Sequence, residues 1–316
     1  MPKPYSDLTP RGQALRLRAV AQVALAEFGF GRYRLRLIKH LVNTTFRLDC
    51  DEGRFVVRVH RTKDRKLSEI ESEVVWLEAI ARDTDICVQT PRRTVDGRLV
   101  AVVDIDGAPP CPVTVLSWLK GRVFSSDMRG ERHFALLGRL TAQLHAHAQM
   151  WSPPKGFDRP RWDAAGIMGA DAPYSLQRLG PLLPAAVRRD LEEVYARLAE
   201  VEIALAARAD LHGLIHRDLT FSNVLFTAQE ARPIDFDEGG FGCYLHDFGS
   251  SLNGARWNDH YLEHSAAYFA AYRSVRPLDE ALLVHMPLVL AVRTATLILW
   301  AVAQSPTHSW VRDMGQ

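Results

Sequence analysis

Residues 214–248 read LIHRDLTFSNVLFTAQEARPIDFDEGGFGCYLHDF. The stretch opens on an apolar pair, Leu214 and Ile215, and passes through a polar loop holding His216, Asp218 and Asn223. A short strand, Val224 to Phe226, follows, then a polar turn, Thr227 to Arg232, and a second apolar run that contains Asp235. Two β-rich runs joined by a polar turn predict a chain that returns beside itself. That return carries Asp235 back to Asn223. Two residues with hard oxygen donors suit a divalent cation held against phosphates, and a third, Asp218, is placed to take a proton from a hydroxyl. Isolated Asp and Asn residues in loops are more often turn formers. Here strand, loop, strand, turn and strand bring all three into register, which is a phosphoryl-transfer pattern: that reaction asks the protein for placed charges more than for covalent chemistry.

His216-Arg217-Asp218 followed by Asn223 matches the H-R-D-x-x-x-x-N catalytic loop of protein kinases. IHRDLTFSNVLF (215–226) with PIDFDEGGFGCYLHDFG (233–249) resembles the aminoglycoside phosphotransferase and choline kinase family, which includes homoserine kinases and a bacterial stress-response Ser/Thr kinase. The resemblance spans Leu35 to about Leu252. It implies a two-lobed, protein-kinase-like α+β fold, with a small antiparallel β-sheet N-lobe and a larger, mainly helical C-lobe. It also implies Asp218, Asn223 and Asp235 as the catalytic core. Asp218 is then the base, Asn223 and Asp235 hold Mg²⁺ beside ATP, and Asp237 is a lesser acidic neighbour. The family keeps I-D-[FW]-[DE] where protein kinases have D-F-G. Asp247-Phe248-Gly249 lies a full loop beyond the hairpin, so Asp247 is read as a structural cap.

Upstream, Thr9-Pro10 is an N-cap followed by proline at the first helical position, and Leu15, Val20, Val23 and Phe28 recur near helical spacing up to Gly29. From Tyr33 the pattern becomes strand alternation: Leu35 and Leu37, then Phe46 and Leu48, then Phe55, Val57 and Val59, with Asp51-Glu52-Gly53 as a turn. In that small sheet Arg58 occupies the place of the phosphate-pairing lysine of kinases. The following helix, Leu67 to Ile80, offers Glu73 as its ion-pair partner, with Glu71 the competing choice. No G-x-G-x-x-G occurs. The turn at 40–45 supplies Asn43, Thr44 and Thr45 instead, since short polar side chains and turn amides can form an anion-binding nest. Asp96-Gly97 is a turn signal before a strand at 99–103. Val113 to Leu119 is a continuous apolar run that looks like the family's connector between lobes, so Ser117 and Leu119 are the candidates facing the adenine. The expected domains are 1–118, an N-terminal helix with the nucleotide-binding sheet, and 119–316, a helical catalytic and substrate-binding lobe. In the second, Phe134, Leu137, Leu140, Leu144 and Ala148 mark a long helix on which His145 and His147 point to different sides and cannot chelate together.

Composition sets the limits. The chain has 316 residues, 47% hydrophobic and 24% charged, and a net charge of +2, which gives no case for a nucleic-acid partner. Four scattered cysteines without a C-x-x-C suggest neither a zinc site nor a disulfide frame, and a cytoplasmic location is expected. MPKPYSDLTP contains no signal-like apolar run. Met286 to Ala303 is long enough to span a membrane, but Pro287 and Arg293 interrupt it and a buried core helix is expected. His260-Tyr261-Leu262-Glu263-His264 matches the H-x-x-E-H zinc-peptidase signature, yet no third ligand follows in a recognisable setting. The function expected is transfer of the ATP γ-phosphoryl group to a hydroxyl of a small molecule (amino alcohol, sugar or aminoglycoside-like). The alternatives are a Ser/Thr protein kinase of the stress-response type and a nucleotide-binding pseudokinase, the latter disfavoured by intact Asp218, Asn223 and Asp235. Nothing in the sequence sets an oligomeric state.

Overall fold

The structure, a computed structural model, describes residues 5–60, 65–105, 108–123 and 130–304. The chain forms two compact units, one of Met1–Lys120 with Pro153–Arg159 and one of Gly121–Ser152 with Pro160–Gln316. Neither unit is contiguous, because the loop after residue 152 returns to the first. There Ser68 Oγ donates to Asp158 Oδ2 (2.7 Å), the Asp158 N–H donates to Ser72 Oγ (2.8 Å) and Arg159 Nη1 donates to the Glu69 carbonyl (2.9 Å).

The first unit opens with α1 (Pro10–Glu27), whose Thr9 Oγ1 accepts from the Gly12 N–H. A five-stranded antiparallel sheet follows, β1 (Tyr33–His40), β2 (Thr44–Cys50), β3 (Gly53–Val59), then β4 (Ala101–Ile105) and β5 (Ala108–Ser117), in the order β1-β2-β3-β5-β4. Phe46, Leu48, Val57, Val59, Val113 and Val115 alternate onto one face and pack against α1. The helix turns a different stripe to that core than the large residues suggest: Ala14, Leu17, Val20, Ala21, Ala24, Leu25 and Phe28 are buried, whereas Leu15 and Val23 are exposed. Alanines complete the helical spacing where the helix runs close to the sheet, a signal lost when only bulky residues are counted. Leu37 is exposed for a comparable reason, since the register of β1 against β2 shifts between Leu37 and Lys39 and breaks the alternation. The run Val113–Ser117 is strand rather than connector; it pairs along β3 from Val59 to Phe55. α2 (Leu67–Asp83) lies between β3 and β4 in the chain.

The second unit is mainly helical. α3 (Glu131–Met150) packs along α8 (Tyr261–Arg273), and α9 (Met286–Gln304) packs against α7 (Leu245–Asn253) and α6 (Ala185–Leu205). Short helices α4 (Ala164–Met168) and α5 (Leu176–Leu179) fill between them. The helix that includes α9 is long and apolar enough to cross a membrane, yet Val289, Val292, Ala295, Thr296 and Leu299 are buried within this unit. Two small sheets carry the loops of interest. One runs β6 (Arg122–Val123), β9 (Val224–Phe226), β10 (Ala231–Pro233). The other places β11 (Gly240–Cys243) between β7 (Arg161–Trp162) and β8 (His212–Ile215).

Candidate active site

β8 delivers the chain into the loop at His216, and the loop is held from below by one face of α7. The Asp247 carboxylate, fully buried, accepts the His216 N–H on Oδ2 (3.0 Å) and the Arg217 N–H on Oδ1 (2.7 Å). Ser250 Oγ donates to the Arg217 carbonyl (2.5 Å) and Ser251 Oγ to the Leu219 carbonyl (3.0 Å). Positions i, i+3 and i+4 lie on one side of a helix, so Asp247, Ser250 and Ser251 form a polar strip clamping the loop backbone. Asp247 therefore does not cap its own helix; it fixes the two peptides before Asp218. His145 Nε2 donates to Asp247 Oδ2 (3.1 Å), and its Nδ1 bonds the Tyr272 hydroxyl (2.9 Å). Burial holds the His145 imidazole below its ordinary value. Burial opposes ionisation of Asp247 as well, but the hydrogen bonds from His145 and from the His216 amide outweigh it and keep the carboxyl below its ordinary range.

The hairpin closes as its pattern predicts. Val224 pairs with Pro233 across β9 and β10, and the Ile234 N–H donates to the Asn223 carbonyl (2.9 Å), which brings Asp235 alongside Asn223. Asn223 Nδ2 donates to Asp218 Oδ2 (2.6 Å) and to the Asp218 carbonyl (3.0 Å). With its NH₂ turned to Asp218, the amide of Asn223 presents Oδ1 away from that carboxylate as an acceptor. Among the described residues only Arg217 (φ 69°) and Asp235 (φ 67°) place a non-glycine side chain in the left-handed region. Such conformations cost about 1–3 kcal/mol and concentrate at functional sites. Here one immediately precedes Asp218 and the other is Asp235 itself. Asp237 lies buried on the turn after Asp235. Two oxygen donors, Asn223 Oδ1 and the Asp235 carboxylate, fit Mg²⁺, which takes few protein ligands and completes its shell with phosphates and water.

One contact at this site is absent from the sequence reading. Arg293, in the middle of α9, donates through Nη2 to Asp218 Oδ1. The legible signal was a lone arginine in an apolar helix, read above only as an interruption.

In the first unit, Arg58 Nη1 and Glu73 Oε1 form an ion pair at 2.6 Å, with side chains only 8% and 2% exposed. Glu71 is exposed, so the partner is Glu73. Thr45 and Thr114 lie directly across from Arg58 on the neighbouring strands. The remaining candidates divide. Asn43 and Thr45 stay partly open, whereas Thr44 is fully buried with its hydroxyl on His40 Nδ1 (2.7 Å). Ser117 is engaged by a neighbouring segment. Its N–H donates to the Thr90 carbonyl (2.9 Å), its carbonyl accepts from Gln89 Nε2 and its hydroxyl accepts the Thr90 N–H, because residues 89–90 run beside the end of β5. Leu119 lies past the strand, partly buried.

In the H-x-x-E-H segment the two histidines are engaged differently. His260 Nδ1 pairs with Glu263 Oε2 (2.5 Å), while His264 stacks on Phe134 with ring centroids 4.4 Å apart. Among the described residues no trio of His, Cys, Asp or Glu converges on a metal position.

A loop carboxylate bonded to a loop asparagine, with a second acid returned by a hairpin, defines a phosphotransferase enzyme with a kinase-like fold. The chain belongs to the phosphotransferase enzyme family (APH), whose profile matches residues 35–278. It is similar to a microcompartment-associated aminopropanol kinase of known structure, with 31% identity, a TM-score of 0.81 and coverage of 92% of this chain and 90% of that one. The fold of the amicoumacin kinase hAmiN, solved with AMP-PNP, Ca²⁺ and Ami, matches with a TM-score of 0.76 at 18% identity, over 92% of this chain and 88% of that one. A homoserine kinase from Methylobacterium nodulans is 29% identical over 254 residues, covering 78% of this chain and 73% of its own.

Proposed function

We propose that the enzyme transfers the γ-phosphoryl group of Mg-ATP to a hydroxyl of a small molecule of the amino-alcohol or hydroxy-amino-acid size. The observation that carries the reading is Asn223, whose side-chain amide donates to Asp218 while its backbone carbonyl receives the Ile234 N–H, so that base and metal-suited oxygens are held together at one end of the hairpin. Asp218, with its side chain 28% exposed, orients the acceptor hydroxyl and takes its proton as the oxygen bonds to phosphorus. Asn223 Oδ1 and Asp235 are the residues that would hold Mg²⁺. When bound there the ion neutralises charge developing on the nucleotide's phosphates. Arg58, kept in place by Glu73, is assigned to the nucleotide's phosphates, with Asn43 and Thr45 supplying further polar groups. The relatives named above are kinases of small molecules, which supports such an acceptor; a protein Ser/Thr acceptor has no support among them.

The test is ADP release by purified protein given Mg-ATP with L-homoserine, 1-amino-2-propanol or an aminoglycoside, alongside Asp218→Asn. Acceptor-stimulated turnover in wild type, with loss in Asp218→Asn but retained nucleotide binding, is expected. Near wild-type transfer by Asp218→Asn would overturn the base assignment.

A further inference from the structure

α9 carries one charged residue between Met286 and Gln304, and it is Arg293. Removing a guanidinium from water into an apolar helix interface is unfavourable unless it is paired, and even a paired buried ion is weak evidence of stabilisation, since an apolar residue of similar volume usually does as well. Arg293 is compensated only in part. Its side chain is 11% exposed, Nη2 reaches Asp218 Oδ1, and Nε is buried without a hydrogen-bond partner. A second buried guanidinium, Arg217, stacks on the Trp162 ring at 4.6 Å. Burial, and then the charge of Arg293, hold Arg217 down at about 10, against the opposing carboxylates of Glu238, Asp218 and Asp247. Packing alone gives no reason to place Arg293 there. Its placement makes sense through Asp218, whose two oxygens are divided between two elements: Oδ2 receives Asn223 from the loop and Oδ1 receives Arg293 from α9.

Resting on the phosphoryl-transfer reading above, we infer that Arg293 is a positioning residue for the reaction, holding the Asp218 carboxylate in the one orientation that leaves a lone pair for the acceptor hydroxyl. A carboxylate bonded at one oxygen alone rotates about its terminal torsion, which is broad and two-fold. Bonded at both, by groups on separate elements, it has one orientation. Small misplacements of a catalytic group reduce turnover steeply.

The experiment compares full-length wild type, Arg293→Lys, Arg293→Met and Arg293→Ala in Mg-ATP turnover, with 1-amino-2-propanol, L-homoserine or water as acceptor. Arg293→Met is expected to lower kcat by about 10²-fold, with the KM for ATP essentially unchanged, because the group acts through Asp218. Arg293→Lys, which keeps a charge and a donor, should recover part of that loss. Added guanidinium ion at low concentration should recover part of it in Arg293→Ala, an effect that a purely structural arginine would not show. Wild-type kcat in Arg293→Met, or loss in Arg293→Ala without recovery by either lysine or guanidinium, overturns the inference. Asp218→Asn, run in parallel, keeps the two readings apart: if it stays active the phosphoryl-transfer assignment itself fails, whereas an inactive Asp218→Asn beside an active Arg293→Met removes only the role of Arg293.

Discussion

Asp235 and Asp247 show how two acids of similar sequence setting acquire different work. Asp235 follows the β9–β10 hairpin in a left-handed conformation beside Asn223, where a carboxylate can meet a cation. Asp247 has both oxygens turned to backbone N–H groups and to His145, leaving it no cation-facing side. Asp235→Ala is therefore expected to abolish Mg-dependent nucleotide binding in calorimetric titration. Asp247→Ala should keep that binding but melt earlier, because it leaves two buried amide donors unsatisfied at about 1–3 kcal/mol each. The reverse pattern would exchange the two assignments. Arg58 invites a similar separation of stability from binding. Arg58→Ala removes the buried ion-pair partner of Glu73 and should lower stability, while weakening Mg-ATP about tenfold or more. The double variant Arg58→Met with Glu73→Gln should recover the melting temperature and not the nucleotide affinity; recovery of both would remove Arg58 from phosphate binding.

At the level of elements, the helix pair α3 and α8 depends on one small residue. A Cβ on Gly138 would lie 2.1 Å from the Tyr268 carbonyl oxygen and 2.8 Å from its carbonyl carbon, both backbone atoms that cannot swing aside. The close approach places Tyr268 so that its hydroxyl donates to Thr141 Oγ1 (2.9 Å), and Tyr272 one turn later reaches His145. Alanine favours a helix interior over glycine by about 1 kcal/mol, yet here the clash should prevail. Gly138→Ala is expected to lower stability by about 1–3 kcal/mol in denaturant unfolding, as overpacking does elsewhere. An unchanged or raised midpoint would show that α8 can retreat without loss.

For the whole molecule, the chain from Tyr272 through His145 to Asp247 couples the catalytic loop to pH. The folded His145 binds its proton less readily than the ordinary value of 6.5, so the unfolded chain takes up more protons as pH falls below it and stability declines. Asp247 acts in the same direction at lower pH. Its folded value lies below the ordinary 3.8, so its contribution is present above that value and is lost as pH falls through the folded one. The melting temperature should therefore drop between about pH 7 and about pH 5, with a shallower slope in His145→Asn, which cannot take up the proton. Equal slopes would place the acid sensitivity elsewhere.

What the sequence by itself determined was most of what local register governs. The return of Asp235 beside Asn223 was legible because a hairpin's return is set by its turn and by strand pairing, and the Ile234 to Asn223 hydrogen bond follows from that count. The pairing of Arg58 with Glu73, 15 positions apart on a strand and the next helix, was expected from the likeness to the kinase strand-to-helix ion pair. Alternation also gave most of the sheet, failing at Leu37 where a register shift intervenes. Only the tertiary structure decided the contacts that depend on how distant segments pack. Arg293 reaches Asp218 from 75 positions away, Asp247 clamps residues 216 and 217 from 31 and 30, and His145 meets Tyr272 across 127. The polar groups of Ser117 were claimed in the same way by residues 27 and 28 positions earlier in the chain. Such pairings have no period or spacing in the sequence, because the partners are chosen by the shapes of the buried faces that bring their elements together.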